Sequence, residues 1–156
     1  MVTNLSAQNS LLGEWMKEIR DVSMQGDRMR FRRNLERIGE IAAYEISKHM
    51  IYNDIPVQTP MGESLCASLA QQPVLATILR AGVPLHQGVL NYFDKADNAF
   101  VAAYRKHHRD GSFEIEQHYF TSPDIEGRPL IIADPMLATG SSLVVALEAL
   151  TENNTP

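Results

Sequence analysis

A short loop of small and hydroxylated residues, Ala138 to Ser142, suits the binding of a phosphate group. The apolar run Leu130 to Ala133 before it predicts a buried strand, and apolar residues at helical spacing follow it from Leu143 to Leu150. The first backbone N–H groups of a helix have no internal partner and carry partial positive charge, so such a loop attracts anions. Gly140 lets the backbone approach a ligand closely, and the hydroxyls add hydrogen-bond donors.

An acidic residue, Asp134, stands between this strand and this loop and is followed by Pro135. A carboxylate repels a phosphate, but it accepts hydrogen bonds from sugar hydroxyls and can hold water on Mg²⁺. The strand, loop and helix together therefore predict a site for both ends of a sugar phosphate. The alternative is an ordinary turn in which Thr139 or Ser141 caps the helix.

Two arginines stand where further apolar runs end. Arg80 follows Val74 to Leu79, which is predicted as a central strand, and Arg105 follows the run Phe100 to Tyr104. An arginine at the carboxyl end of a parallel strand faces the crevice in which open α/β sheets bind ligands, and its planar guanidinium matches phosphate oxygens. The alternative for Arg80 is an ion pair at the strand end.

A second group of arginines, Arg28, Arg30, Arg32 and Arg33, opens the most clearly amphipathic stretch of the chain, Phe31 to Met50. Such a run is either a ligand patch or a helix start whose charges face solvent and carboxylate partners. Taken alone, the pattern favours the solvated helix start, because runs of charge usually lie in water.

The string DPMLATGSS, Asp134 to Ser142, resembles the loop with which phosphoribosyltransferases bind phosphoribosyl pyrophosphate (PRPP). An aspartate followed by proline is typical of the uracil phosphoribosyltransferases, which usually carry a second glycine where this chain has Ser141. The string ILRAG at Ile78 to Gly82 and the pair Tyr104-Arg105 are similar to the pyrophosphate-binding motifs of that family. The helix from Phe31 also looks like the family's N-terminal helix, so the resemblance covers the chain from there onwards.

The resemblance implies a role for each of these residues. Asp134 is the catalytic residue and holds the ribose hydroxyls, and residues 139–142 bind the 5′-phosphate. Arg80 and Arg105 offset the charge of pyrophosphate together with Mg²⁺, which is expected to bind through substrate oxygens and water. The implied substrate-binding set is Arg80, Arg105, Asp134, Pro135, Met136, Leu137, Ala138, Thr139, Gly140, Ser141 and Ser142.

The reaction that the resemblance implies joins uracil to PRPP and releases UMP and pyrophosphate. The family forms dimers or tetramers and some of its members are activated by GTP, so a homo-oligomer is expected and GTP is a candidate activator. Two other hypotheses stay open, namely an RNA-binding regulator of pyrimidine genes on the same fold and a phosphoribosyl-binding domain without catalysis. The formal net charge of −5 argues against the binding of nucleic acid.

The order of the predicted elements indicates an α/β fold, and the resemblance specifies the phosphoribosyltransferase type, a Rossmann-like and mainly parallel sheet with flanking helices. Two N-terminal helices are predicted at Leu11 to Ile19 and Phe31 to Met50. Ile55 to Pro60 is predicted to be extended, and its two prolines restrict it to a sheet edge. Tyr104 to Phe120 is predicted as a β-hairpin arm with a basic, mobile tip around residues 106–111.

The chain of 156 residues is predicted to form one domain over residues 1–156, with a helical part at 1–50 and the core with the phosphate loop at 73–150. In the family a long C-terminal part follows the phosphate loop and supplies further strands and the groups that recognise uracil. Those C-terminal strands are missing after Leu150. The chain is therefore expected to be either a fragment or a degenerate relative of the family. A fragment is favoured, and it is expected to expose apolar surface where those strands belong.

One cysteine, Cys66, lies among small and apolar residues, which predicts a packed thiol. Neither a secretory pattern at Met1 to Ser10 nor an apolar run of membrane-spanning length is present. The expected compartment is the cytoplasm, without membrane association. His49 and His86 fall in or near predicted helices and are expected to be structural.

Overall fold

The computed structural model describes residues 2–107, 113–152 and 155–156, and of residues 103–107 and 113–118 it describes the backbone alone. The helices are α1 (Leu11–Arg20), α2 (Arg28–Ser47), α3 (Val83–Leu90) and α4 (Ser141–Thr151), after a single 3₁₀ turn at Leu5–Ala7. The strands are β1 (Tyr52–Thr59), β2 (Gly62–Leu69), β3 (Val74–Leu79), β4 (Asp97–His107), β5 (Phe113–Thr121) and β6 (Leu130–Ala133). None of the helices described here is long and apolar enough to cross a membrane.

Strands β3 to β6 form one mixed sheet in the spatial order β5, β4, β3, β6. β3 pairs in parallel with both β4 and β6, whereas β5 runs antiparallel to β4. This confirms the predicted α/β fold with a parallel centre. The carboxyl ends of β3, β4 and β6 consequently lie at one edge of the sheet, and both loops predicted to bind phosphate groups leave the sheet there.

The two strands predicted as fully buried differ in their surroundings. Residues Val74 to Ile78 of β3 are all buried, as expected for a central strand with a neighbour on each side. In β6 only Ala133 is buried, and the preceding residues are half-buried. β3 is the one neighbour of β6 among the described strands, so the other edge of β6 and part of its faces stay open.

Helices cover both faces of this sheet. On one face, Ala146 and Leu150 of α4 join a buried apolar cluster with alternate residues of β3. On the other face, Ala43 of α2 and Val89 of α3 pack around Leu75. Burial of these apolar side chains is the main favourable contribution that holds the sheet between its helices.

Helices α2 and α3 cross at two glycines, Gly39 and Gly88. A Cβ atom at Gly39 would overlap the backbone oxygen of Leu85, and a Cβ atom at Gly88 would overlap that of Glu36. The two backbones therefore lie closer together than larger residues permit. Asn91, just after α3, adds a side-chain hydrogen bond to the Glu36 carboxylate at 3.2 Å. These contacts fix α3 and, with it, the loop that leads from β3 into α3.

The end of α1 is tied to the start of α2 by Glu18. Its carboxylate accepts hydrogen bonds from Asn34 at 2.6 Å and from Arg30 at 3.1 Å. These two hydrogen bonds, with Asn34 contributing more than Arg30, lower the pKa of the Glu18 carboxyl below its ordinary value. Asp27 caps α2, because its Oδ1 accepts the backbone N–H of Arg30 at 2.9 Å. The two N-terminal helices thus form one unit.

β1 and β2 form a separate two-stranded antiparallel hairpin. β1 contains Pro56, which this hairpin tolerates because each of its strands has an open edge. β2 was not predicted, and the prediction of a packed thiol at Cys66 is wrong, since Cys66 is exposed. Its apolar neighbour Leu65 is exposed as well, because no second layer of the described structure covers this strand.

His86 lies on the inner side of α3 and is only 5% exposed, as expected of a structural histidine. Its ring centroid is 5.5 Å from that of Phe100. Burial lowers the pKa of His86 below its ordinary value of 6.5, and the nearby backbone of Leu75 and side chain of Asn98 offset this lowering only in part. The folded protein therefore favours the neutral imidazole.

The free energy of unfolding is expected to fall as the pH drops below about 6.5, because the unfolded chain then binds a proton that folded His86 does not. This loss continues until the pH reaches the lowered pKa of the folded state, with a slope of at most about 1.4 kcal/mol per pH unit. Urea unfolding between about pH 8 and pH 5.5 measures the slope. His86→Gln should remove most of it, and His49→Gln, at an exposed histidine, should retain it. An unchanged slope in His86→Gln would contradict the assignment.

Candidate functional site

The phosphate loop leaves β6 at the carboxyl edge of the sheet and leads into α4. Gly140, the residue before α4, has a φ of +79°, in the left-handed region that favours glycine. The backbone N–H groups of Ser142 and Leu143 have no hydrogen-bond partner among the described residues. The start of α4 therefore offers free donors, together with the positive end of the helix dipole, to an anion.

The Thr139 hydroxyl accepts one long hydrogen bond, of 3.4 Å, from the backbone N–H of Ser141. The N-cap residue of α4 is Gly140, so the alternative in which Thr139 or Ser141 caps the helix is not observed. The hydroxyls of Thr139 and Ser141 instead share a hydrogen bond of 2.8 Å. Ser141 already belongs to the first turn of α4 and has no positive φ. The backbone at this position consequently does not require the glycine that the family usually carries, and Ser141 adds a hydroxyl beside the free N–H groups.

Asp134 is half-buried where β6 ends. Its Oδ1 accepts one long hydrogen bond, from the backbone N–H of Met136 at 3.4 Å. Within the described residues no lysine or arginine forms an ion pair with Asp134. The carboxylate thus keeps acceptor capacity for a sugar hydroxyl or a water molecule. Met136 and Leu137 are 77% and 70% exposed, which places two large apolar side chains on the open side of the loop.

The turn after β3, which begins with Arg80, lies directly on the strand ends. A Cβ atom at Gly82 would overlap the hydroxyl of Thr77, so only glycine allows this approach. The same hydroxyl donates a hydrogen bond of 3.1 Å to the carbonyl of Ala133, which joins the end of β3 to that of β6. The Leu79–Arg80 peptide bond is cis. Arg80 is exposed and forms no ion pair with the residues that the structure describes, so the alternative of an ion pair at the strand end is not observed among them.

The second predicted arginine, Arg105, lies in β4 opposite Ile115 of β5. The last pair of the β3–β4 ladder joins Leu79 to Ala102, so Arg105 lies on β4 beyond the end of β3. This confirms the predicted hairpin arm. The side chains of Arg105 and His107, and all of His108 and the tip, lie outside the described residues. The contact of Arg105 with pyrophosphate therefore stays a prediction.

A cavity of about 570 Å³ opens where the two loops meet helices α1 and α2. Arg80 lines it from the loop after β3, and Pro135 and Met136 line it from the phosphate loop. The loop after β3 and the beginning of the phosphate loop therefore border one cavity, whereas Asp134 and residues 137–142 are not among its lining residues. The helical side was not assigned to the site from the sequence, and it contributes Met16, Ile19, Arg20, Phe31, Arg32 and Leu35.

Different arginines at the start of α2 fit different hypotheses, the solvated helix start for some and the ligand patch for another. Arg30 and Arg33 pair with the carboxylates of Glu18 and Glu36 at 3.1 and 2.7 Å, as a solvated helix start predicts. Arg32 lines the cavity, as a ligand patch predicts. Sequence spacing could not separate them, because neighbouring helix residues face different directions and the position of the ligand crevice was unknown.

Comparison with solved structures identifies the type of fold. The fold matches the AQ2163 protein from Aquifex aeolicus with a TM-score of 0.82 and 26% identity, over 97% of this chain and 70% of that chain. It matches a purine phosphoribosyltransferase from Pyrococcus horikoshii with a TM-score of 0.54 and 12% identity, over 78% of this chain and 66% of that chain, a likeness of fold alone. The fold is therefore of the phosphoribosyltransferase type.

Sequence comparison identifies the family within this class. The sequence profile described as uracil phosphoribosyltransferase matches residues 6–156. A uracil phosphoribosyltransferase from Porphyromonas gingivalis is 54% identical over 155 residues, which cover 99% of this chain and 72% of that relative. The chain belongs to the uracil phosphoribosyltransferase family, as the resemblance of its loops predicts.

Proposed function

We propose that this chain transfers the phosphoribosyl group of PRPP to uracil, which forms UMP and releases pyrophosphate. One observation carries the proposal: the N–H donors at the start of α4 and the guanidinium of Arg80, which have no partner among the described residues, stand at the same carboxyl edge of the parallel strands. These are two separate anion-binding groups, and PRPP has two anionic ends, the 5′-phosphate and the pyrophosphate. Membership of the family names uracil as the acceptor.

The start of α4 binds the 5′-phosphate in this mechanism. The free N–H groups of Ser142 and Leu143 and the hydroxyls of Thr139 and Ser141 provide the donors, and Gly140 allows the close approach. The helix holds the N–H donors in place before the substrate arrives, so little reorganisation accompanies binding. The main work of this loop is to position the ribose for attack.

Asp134 lies between the two anionic ends and accepts hydrogen bonds from the ribose hydroxyls. Departure of pyrophosphate from C1 leaves positive charge on the ribose ring, in a transition state with oxocarbenium character. A carboxylate beside the ring stabilises this charge. The open acceptor capacity of Asp134, which receives only the 3.4 Å bond from Met136, supports this role.

The donor set around Asp134 fits Mg²⁺ bound mainly through water and substrate oxygens. In the part of the chain that the structure describes, no three His, Cys, Asp or Glu side chains lie together as a metal cage. Asp134 would hold a water molecule of the ion rather than the ion itself. When bound, Mg²⁺ supplies positive charge that neutralises the pyrophosphate group.

Arg80 binds the pyrophosphate leaving group. Its guanidinium has no ion pair with a described residue to break, and charge-assisted hydrogen bonds to phosphate oxygens are among the strongest that side chains form. Arg105, on the neighbouring strand β4, is proposed to contact the same group. Positive charge placed where negative charge accumulates on the leaving group lowers the barrier for its departure.

We further infer that copies of the chain assemble as a dimer or tetramer, which exposed apolar side chains on the β1–β2 hairpin support. Ile55, Met61 and Leu65 are all exposed, and the hairpin has open edges. Apolar patches of this kind mark protein contacts. Light scattering on the purified chain measures its mass in solution, and a monomer would contradict the proposal. Activation by GTP and a cytoplasmic location stay predictions.

Formation of UMP and pyrophosphate by the purified chain tests the proposed reaction. With PRPP and Mg²⁺ present, we expect both products to form when uracil is added and neither without it. Cytosine and hypoxanthine serve as control bases and should give no nucleotide. A chain that binds PRPP but forms no UMP would contradict the proposal.

A further inference from the structure

Unpaired guanidinium groups are concentrated at one place on this molecule. Arg30, Arg33 and Arg128 form ion pairs, and the Cζ atom of Arg37 lies 5.7 Å from the ring centroid of Trp15. The arginines with described side chains that have no partner of either kind are Arg20, Arg28, Arg32 and Arg80. All of these except Arg28 line the cavity between α1, α2 and the loop after β3.

No carboxylate among the described residues lines this cavity to balance Arg20, Arg32 and Arg80. Gln25 is polar, and the rest of the wall is apolar, with Phe31 on the helical side. Arg20, Arg32 and Arg80 are all exposed, so their guanidinium groups can reach a ligand in this cavity. An anion in the cavity would be attracted by all three positive charges, so the cluster is suited to bind an anionic ligand.

The structure holds Arg20 and Arg32 in place without using their own guanidinium groups. Arg20 is the last residue of α1, and Arg32 lies near the start of α2. Glu18 fastens these two helix ends together through its hydrogen bonds with Arg30 and Asn34. Both guanidinium groups are therefore presented on a fixed frame and stay available for a ligand.

We propose that Arg20 and Arg32 bind the diphosphate group of PRPP together with Arg80. This inference rests on the proposed function, in which Arg80 contacts the same group. A diphosphate presents oxygens on two phosphorus atoms, and planar guanidinium groups bind such oxygens in pairs. The pyrophosphate site thus extends from the sheet edge onto the N-terminal helices, which hold the leaving group as well as support the fold.

Binding of inorganic pyrophosphate, measured by isothermal titration calorimetry on the whole chain with Mg²⁺, tests this proposal. Arg32→Gln is expected to raise the Kd by about tenfold or more, since charge-assisted hydrogen bonds are lost, and Arg20→Gln should raise it in the same direction. Arg28→Gln is the matched control, because it removes the same charge from an exposed, unpaired arginine of α2 outside the cavity. Its Kd should stay within about twofold of the unaltered chain.

Three results would overturn the proposal. The first is an equal loss of pyrophosphate affinity in Arg28→Gln and Arg32→Gln. The second is a Kd that neither Arg20→Gln nor Arg32→Gln changes, and the third is no pyrophosphate binding by the unaltered chain. Thermal unfolding checks that each variant is folded, and Arg32→Lys, which keeps the charge, should recover part of the affinity.

Turnover separates this proposal from the proposed reaction. If the chain binds pyrophosphate through Arg32 but makes no UMP, the diphosphate site is supported and the proposed reaction is contradicted. In a chain that makes UMP, Arg32→Gln should raise the KM for PRPP and leave the KM for uracil unchanged. A rise in the KM for uracil alone would indicate that Arg32 contacts uracil rather than PRPP, which would contradict the proposal.

Discussion

Asp134→Asn is expected to lower the kcat of UMP formation by about 100-fold or more. The amide keeps the shape of the side chain but removes the negative charge that the proposed mechanism places beside the ribose. It also replaces one hydrogen-bond acceptor with an NH₂ donor, which cannot accept a hydrogen bond from a ribose hydroxyl. Steady-state kinetics with uracil and PRPP as substrates measure the loss.

The same substitution should hardly change stability, because the carboxylate accepts only the 3.4 Å hydrogen bond from Met136. We expect the Tm to shift by about 2 °C or less. Asp94→Asn is the matched control, since Asp94 is exposed and precedes β4, at the opposite edge of the sheet from the site. An unchanged kcat in Asp134→Asn, or an equal loss in Asp94→Asn, would remove Asp134 from the mechanism.

Gly88→Ala is expected to lower the free energy of unfolding by about 1–3 kcal/mol, the range typical of overpacking. The added methyl group meets the backbone of Glu36 and Glu40, which cannot rotate away as a flexible side chain could. Helix α3 must therefore shift away from α2. Urea unfolding monitored by circular dichroism measures the change.

Gly13→Ala makes the same chemical change in α1 and serves as the control. A Cβ atom at Gly13 has no atom within 4 Å, and alanine has a higher helix propensity than glycine. This variant should gain about 0.5–1 kcal/mol of stability. If Gly88→Ala lowers the free energy of unfolding and Gly13→Ala raises it, the loss is assigned to the α2–α3 contact. Similar effects in both variants would show that α3 accommodates the methyl group.

The phosphate loop and the loop after β3 could be predicted because their determinants are local. An apolar run, a chain-breaking proline, a glycine and apolar residues at helical spacing follow one another between Leu130 and Leu150. The run Val74 to Leu79 specifies a central strand in the same way, and Arg80 comes directly after it. Parallel pairing then brings both strand ends to one edge. Sequence alone thus placed both loops that are predicted to bind anions on the same side of the sheet.

The helical wall of the cavity could not be predicted, because it depends on packing between distant segments. Arg20 and Arg32 border the loop of Arg80 only because α2 lies closely against α3. That approach requires Gly39 and Gly88 to meet, and a glycine within a helical pattern does not reveal its partner. Long-range contacts of this kind leave no periodic signal in the chain.

The exposed Cys66 also shows that local sequence does not reveal packing between distant segments. Its small and apolar neighbours predict burial, but burial also requires a second layer to cover the strand. β2 pairs only with β1, and the described structure places nothing over this hairpin. Local composition therefore identified an apolar segment without determining what covers it.

The pairing of β3 with β6 determines when the substrate site can form during folding. Val74 pairs with Leu130, and α3, β4 and β5 all lie between them in the chain. Until this parallel pair closes, the phosphate loop has no fixed place beside Arg80. Pairings between such distant segments form slowly, because the entropy of loop closure must be overcome first. We therefore expect the capacity to bind PRPP to form only after this pair closes, and substrate that binds then stabilises the native state.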